Sequence, residues 1–262
     1  MSIRPRPAIP GNHDIALLNL YQRFLTPYAR YLRAFGPGLE NVVSTPLLRV
    51  IGVKTTRRWR HKNGEVSFAQ IERVVAELGR IRAARDAAGA RTLIEGGVGT
   101  AFGCSIQGAV NEDEVLRLLQ ALLDAGADRV SLADTVGYAD PVSVQRLFEK
   151  ARALVGERLW CAHFHDTRGM GLANACAAWQ TGIERFDACL AGIGGCPHAP
   201  GAGVNVATED LAFMLERMGA HTGLDLRALL ALRQRVAGWL AGESLHGTLW
   251  QAGLPQAQAA AA

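Results

Sequence analysis

His163 and His165 stand two residues apart in the segment HFHDTRGMGLAN (163–174). Side chains of an extended chain repeat every two residues, so both imidazoles would point to one face. Two imidazoles placed in that way can share a metal ion. Further along lies LAGIGGCPHAPGAGVN (190–205), a glycine-rich run with a thiol at Cys196 and an amide at Asn205. Such a loop is pliable enough to close over a small molecule and exclude water. Imidazoles with a neutral oxygen donor suit Mg²⁺ or Mn²⁺ better than a thiolate-bound structural zinc. The flanking Gly-Gly and the Cys-Pro step would not build a packed core, so Cys196 reads as a working thiol. Cys176 and Cys189 read as small buried hydrophobes. Asn205 also fits the N-cap of a helix opening at NVATED, and the two roles are compatible. Glu209, in the first turn of that helix, fits a group near the site and equally a carboxylate meeting the helix dipole. Asp134 closes a strand-like run, where it fits either a catalytic group or a turn cap.

Three segments in this order, SLADTVG (131–137), HFHDTRGMGLAN and GIGGCPHAPGAGVNVATEDL (192–211), resemble the 3-hydroxy-3-methylglutaryl-CoA (HMG-CoA) lyase family of the DRE-TIM metallolyase superfamily. The resemblance runs over residues 62–256. It implies a retro-Claisen cleavage, in which a 3-hydroxyacyl-CoA breaks between C2 and C3 into a keto acid and an acetyl-CoA enolate. It assigns His163, His165 and Asn205 to a divalent metal, Mg²⁺ or Mn²⁺. His163, Asp134 and Cys196 become catalytic, with the thiol working at the enolate carbon, and Thr135, Gly195 and Glu209 line the substrate. HMG-CoA is the default substrate, in leucine catabolism and ketone-body formation, and citramalyl-CoA is a related alternative. An acetyl-CoA-dependent condensing synthase of the same superfamily is a further alternative, against which the Gly-Gly-Cys-Pro loop argues. The loop 96–103 fits a substrate-lining turn rather than a P-loop, since no Lys-Ser/Thr follows it. The family pattern there usually reads Gly-Cys-Pro, whereas this chain has Gly103-Cys104-Ser105.

The elements that must hold these residues alternate regularly. Ser67 and Gln70 form a capping box ahead of Ile71, Val74, Val75, Leu78 and Ile81 at helical spacing, closed by Gly89. RTLIEGGVG (91–99) reads as a strand. Asn111 caps a helix ending at Gly126, Arg129–Ala133 is a strand, and Asp140-Pro141 opens a third helix. A strand ending at HFH, a helix over 170–181, a strand at 186–190 and two more helices follow. Strands alternating with helices imply a parallel sheet with right-handed crossovers. The candidate residues fall at C-terminal strand ends, where (β/α)₈ barrels carry their sites. An open doubly wound sheet fits the alternation as well. The family resemblance selects the α/β, TIM-type (β/α)₈ barrel, with these strands as the last four of eight and the first strands missing or degenerate.

Residues 1–61 do not resemble the family. They offer an amphipathic helix over 15–35 and one strand within VVSTPLLRVIGV (42–53). The family's first-strand Arg-Asp-Gly motif, source of a metal-binding Asp and a catalytic Arg, is not found in this sequence. The expectation is therefore a truncated, frameshifted or diverged N-terminal part, with an impaired homologue as the non-enzymatic alternative. An incomplete barrel would expose apolar surface on its open side, which would promote dimerisation or aggregation. Residues 1–62 carry eleven basic and two acidic side chains, a net +9, whereas the remainder carries seventeen against twenty-two, a net −5. The basic excess is one atypical segment with one short cluster, TTRRWRHK (55–62), so no nucleic-acid partner is expected. No run of about 20 apolar residues suggests a membrane span. The first residues lack the apolar core of a signal peptide. Five cysteines without a regular framework read as free thiols in the cytoplasm. The organisation expected is a basic segment over 1–61, a barrel portion over 62–256 and a frayed tail over 257–262.

Overall fold

The computed structural model describes residues 26, 28, 29, 32, 33, 42–44, 49–51, 68–105, 108–194 and 204–255. The chain divides into two compact units, Met1–Arg91 and Thr92–Ala262. In the first, β1 (Val42–Ser44) and β2 (Arg49–Ile51) pair antiparallel, and α1 (Phe68–Ala87) follows. The run 42–53 thus gives two short strands of a hairpin rather than one strand of a barrel. Thr45-Pro46 stands between them, and proline cannot donate to a strand ladder. The helix expected over 15–35 and the capping residue Ser67 lie outside the described residues, apart from isolated positions of the former.

The second unit carries β3 (Glu95–Val98), α2 (Glu112–Asp124), β4 (Arg129–Asp134), α3 (Pro141–Val155), β5 (Leu159–Phe164), α4 (Gly171–Gln180) and β6 (Phe186–Asp187). After these come α5 (Thr208–Arg217), α6 (Leu226–Trp239) and a short α7 (Leu249–Ala252). The four strands pair in parallel in the order β3-β4-β5-β6, which matches their order along the chain. This is one arc of a β/α barrel, and it does not close among the described residues. The helix starts follow their capping chemistry. Asn111 accepts from the Asp113 N–H at 2.8 Å. Asp140 and Ser143 form a reciprocal capping box with Pro141 in the first turn.

One face of the sheet packs on α2, α3 and α4. Val130, Leu132, Ala162 and Phe164 meet Leu119, Leu147, Phe148, Ala175 and Ala178 there in a continuous buried core. Phe102, Phe148 and Phe164 form an aromatic triangle with ring centroids 6.2 to 6.3 Å apart. The register puts Glu95, Gly97, Arg129, Ser131, Ala133, Cys161, His163 and Asp187 on the other face. That face is polar or small apart from Trp160, whose ring lies under the Arg129 and Arg185 guanidiniums. The expected apolar open side is therefore not what these strands carry.

Candidate active site at the strand ends

The chain leaving β5 continues extended past Phe164, and a returning segment pairs with it. Asp166 donates to the Val204 carbonyl at 2.8 Å and Val206 to the Phe164 carbonyl at 3.2 Å. This brings His165 and Asn205 directly opposite each other. His163 and His165 lie on one side of the extended segment, with ring centroids 5.1 Å apart. His165 is buried, and that burial, with the neighbouring His163, pushes its pKa down to about 4. It is therefore a neutral imidazole with a lone pair to offer. Its Nδ1 is buried without a hydrogen-bond partner, and so is Asn205 Oδ1. Buried polar atoms normally find partners, and two orphans on facing residues fit a cation that both would hold. Among the described residues no three His, Cys, Asp or Glu side chains gather around one point. The donor set is two imidazoles and an amide oxygen, without a carboxylate.

The orientation of the Asn205 amide follows from its other end. Nδ2 donates to the Ile193 carbonyl at 2.9 Å, so the oxygen is the atom left free. Ile193 belongs to a bend, Leu190–Gly194, that begins with a short 3₁₀ turn over Leu190–Gly192. Within it Ala191 has φ 55° and ψ 23°, left-handed for a residue with a Cβ. That conformation costs about 1–2 kcal/mol and persists where surrounding bonds impose it. At Gly192, φ is 63° and an added Cβ would lie 2.8 Å from the Asn205 carbonyl oxygen. Cys196 and Gly195 lie outside the described residues.

Asp134, expected at the substrate, is used otherwise. Its register partner is Phe164, which puts its side chain on the helix-covered face, away from His163. Its carboxylate is fully buried and accepts the N–H groups of Tyr138 at 2.8 Å and Ala139 at 2.9 Å. Burial pushes this carboxyl up, while those N–H groups and the Arg168 charge pull it down. The visible contribution of Asp134 is to shape the loop after β4, whose backbone carbonyl at residue 134 also receives the His165 N–H at 3.3 Å. Thr135 bonds through both its backbone N–H and its hydroxyl to the Gly99 carbonyl, joining the ends of β3 and β4. Arg168 donates to the carbonyls of Val136 and Gly137 at 3.0 Å each and lies over the Tyr138 ring. Asp166 accepts the Gly171 N–H at 2.7 Å, as a cap for α4.

Glu209 does not face the histidines. Its carboxylate is fully buried, 2.7 Å from Arg233 Nε, and accepts the Ala191 N–H. Any effect of Glu209 on bound substrate passes through the Ala191 bend. Arg233 escaped the sequence reading altogether, although one signal was available. It occupies the apolar stripe of α6, at helical spacing from Leu226, Leu230 and Ala237.

Comparison with known proteins converges on this part of the chain. The model of the HMGL-like family matches residues 39–236. The chain is 42% identical over 156 residues to (R)-citramalyl-CoA lyase of Chloroflexus aurantiacus, covering 60% of this chain and 49% of that protein. It is 44% identical over 132 residues to a hydroxymethylglutaryl-CoA lyase of Bacillus subtilis, covering 50% and 44%. A solved HMG-CoA lyase from Acinetobacter baumannii, in complex with coenzyme A and 3-methylmalate, superposes with a TM-score of 0.66 at 37% identity. That match covers 74% of this chain and 61% of the other. The chain thus spans about half the length of the curated relatives it matches.

Proposed function

The chain belongs to the HMGL-like family, and from that membership we propose that it takes part in the metal-dependent C–C cleavage of a 3-hydroxyacyl-CoA. The observation that carries the reading is the pair of orphaned buried atoms, His165 Nδ1 and Asn205 Oδ1, beside His163 at the C-terminal end of a barrel strand. His163, His165 and Asn205 would hold Mg²⁺ or Mn²⁺. When bound, the cation supplies Lewis acidity to the substrate hydroxyl and stabilises negative charge as it develops. The hydroxyl proton would pass to a water molecule oriented by the ring N–H of the half-exposed His163, whose other nitrogen would serve the cation. Cleavage between C2 and C3 then gives the keto acid and the enolate of acetyl-CoA. Cys196 returns a proton to C2, which prevents recondensation. Thr135 ties the loop after β4 to the end of β3 and Arg168 ties it to the loop after β5, and these loops form the rim around the acyl group. Gly195 belongs to the substrate lining on the strength of the family resemblance.

Two substrates are in play. HMG-CoA has the support of the solved and curated lyases above, and (R)-citramalyl-CoA that of the relative at 42% identity. The test offers each thioester to the purified chain with Mn²⁺ and follows acetyl-CoA together with acetoacetate or pyruvate. Expected is Mn²⁺-dependent product from one thioester, abolished by His165→Ala. Product formation from neither thioester at any Mn²⁺ concentration, or activity indifferent to His165→Ala, would sink the proposal. The same reading places the protein in the cytoplasm. It gains support from Cys161, Cys176 and Cys189, which are free thiols. No described helix is long and apolar enough to cross a membrane.

A further inference from the structure

Arg233 is buried on the apolar stripe of α6, and Glu209 is enclosed with it. A charge in such a place is retained only where its partners satisfy it. Arg233 Nε donates to Glu209 Oε1 at 2.7 Å and Nη2 donates to the His246 carbonyl at 2.9 Å. Both partners converge on Ala191. Glu209 Oε2 accepts the Ala191 N–H at 3.0 Å, and the His246 N–H donates to the Ala191 carbonyl at 2.8 Å. One guanidinium therefore ties down both polar ends of a non-glycine residue held at positive φ. From this bend the chain reaches Asn205 through two bonds. The Asn205 N–H donates to the Gly192 carbonyl at 3.2 Å, and Nδ2 donates to the Ile193 carbonyl at 2.9 Å.

We propose that Arg233 is a positioning residue for Asn205. Acting through Glu209, His246 and the bend at Ala191–Ile193, it fixes which end of the Asn205 amide faces the histidines. The segment after α6 thereby becomes part of the site's construction without touching substrate. The proposal rests on the cation-site reading for what Asn205 Oδ1 does, but its geometry stands independently.

The experiment uses the full 262-residue chain labelled with ¹⁵N-asparagine, its Asn205 side-chain resonance identified by comparison with Asn205→Ala. The exchange rate of that side-chain amide reads the bond to Ile193 directly. The double variant Arg233→Met/Glu209→Gln removes both charges together, so no lone charge stays buried, and the glutamine oxygen can still accept from Ala191. Asp225→Ala, which removes the N-cap of α6, serves as a control for general destabilisation. Expected is exchange faster by about tenfold in the double variant than in the control, with Arg233→Lys in between because an ammonium cannot reproduce the two-pronged bond. Exchange in the double variant at the rate of the control overturns the proposal. Where the double variant fails to fold, Arg233→Lys decides alone: faster exchange supports the proposal and the wild-type rate overturns it. Added Mn²⁺ should broaden the Asn205 resonance in the wild type and broaden it less in the double variant. Absence of broadening in the wild type counts against the cation site, and the exchange rates still decide the positioning.

Discussion

At Gly192 a single hydrogen atom in place of a methyl keeps Asn205 where it is. The residue has φ 63°, and a Cβ there would meet the Asn205 carbonyl at 2.8 Å and the His246 Cβ at 3.1 Å. Neither neighbour can retreat cheaply, because one is backbone and the other belongs to the segment bonded to Ala191. Gly192→Ala is therefore expected to lower stability by about 1–3 kcal/mol in urea unfolding, and to weaken Mn²⁺ binding as well. Unchanged stability would show that the bend is softer than its bonds suggest. Asp134 allows a sharper separation of roles. Each of its carboxylate oxygens takes a different backbone N–H, so the amide group of Asp134→Asn must face one donor with another. The expected cost is about 1–3 kcal/mol, measured by the same unfolding. A variant of undiminished stability but abolished turnover would instead return Asp134 to a direct catalytic role. The histidine pair and Asn205 were legible in the sequence because a period of two and a short motif are local features. The Arg233–Glu209 contact was not, because 24 residues separate the partners and no local pattern encodes which buried carboxylate an arginine will find.

The elements show where local signals prevail and where tertiary pairing overrides them. Helix starts at Asn111 and Asp140 were readable from side-chain capping alone, and both caps form. The strand expected over 186–190 is only Phe186–Asp187. Its continuation turns to the returning segment instead: Cys189 donates to the Val206 carbonyl and pairs with Ala207. A pairing between segments joined through the glycine-rich run leaves no trace in periodicity. Asp140→Ala should cost about 1 kcal/mol in thermal or urea unfolding, since it removes acceptance from the Val142 and Ser143 N–H groups. Between α2 and α3, Glu112 receives Arg146 and Lys150, each at 2.8 Å. The hydrogen bond from Arg146, then that from Lys150, hold its carboxyl below the usual glutamate range. A depressed carboxyl stabilises the fold above its unfolded value and loses that contribution as pH falls through the folded value. Glu112→Gln should thus lower stability at pH 7 by less than about 1 kcal/mol. The gap from wild type should close on acidification below the ordinary glutamate value of about 4.3. A gap that persists at pH 2 would assign the effect to packing rather than charge.

On the scale of the whole molecule, the second unit places the candidate ligands at one strand end, and none of those among its described residues is a carboxylate. The alternation of strands and helices follows from periodicities visible in the sequence, whereas the order β3-β4-β5-β6 was implied only by the family resemblance, since an open doubly wound sheet fits the same alternation. The polar character of the opposite face was not read from the same strands. Glu95 pairs with Arg129 at 3.0 Å there, and Cys161, raised by burial to about 12, faces Asp187. Barrel interiors are more often filled by bulky branched side chains, so this arc is suited to a polar interior rather than to a sticky seam. The charge balance at the ligands has a direct consequence for affinity. Hard divalent cations generally depend on carboxylates, and His163, His165 and Asn205 supply none. No Arg-Asp-Gly motif in this sequence offers a further carboxylate or a cation for the developing oxyanion. Loss of one such electrostatic group typically lowers rates by about 10²–10³. The 262-residue chain is therefore expected to bind Mn²⁺ at least about tenfold more weakly than the Bacillus subtilis HMG-CoA lyase. Its cleavage of HMG-CoA should be slower by about 10² or more. Titration of free Mn²⁺ by electron paramagnetic resonance, with both proteins in one buffer, checks the first part, and acetoacetate release checks the second. Equal affinity and turnover would mean that a carboxylate of this chain outside the described residues, Asp14 or Glu40, completes the ligand set, and Asp14→Asn and Glu40→Gln would then identify it.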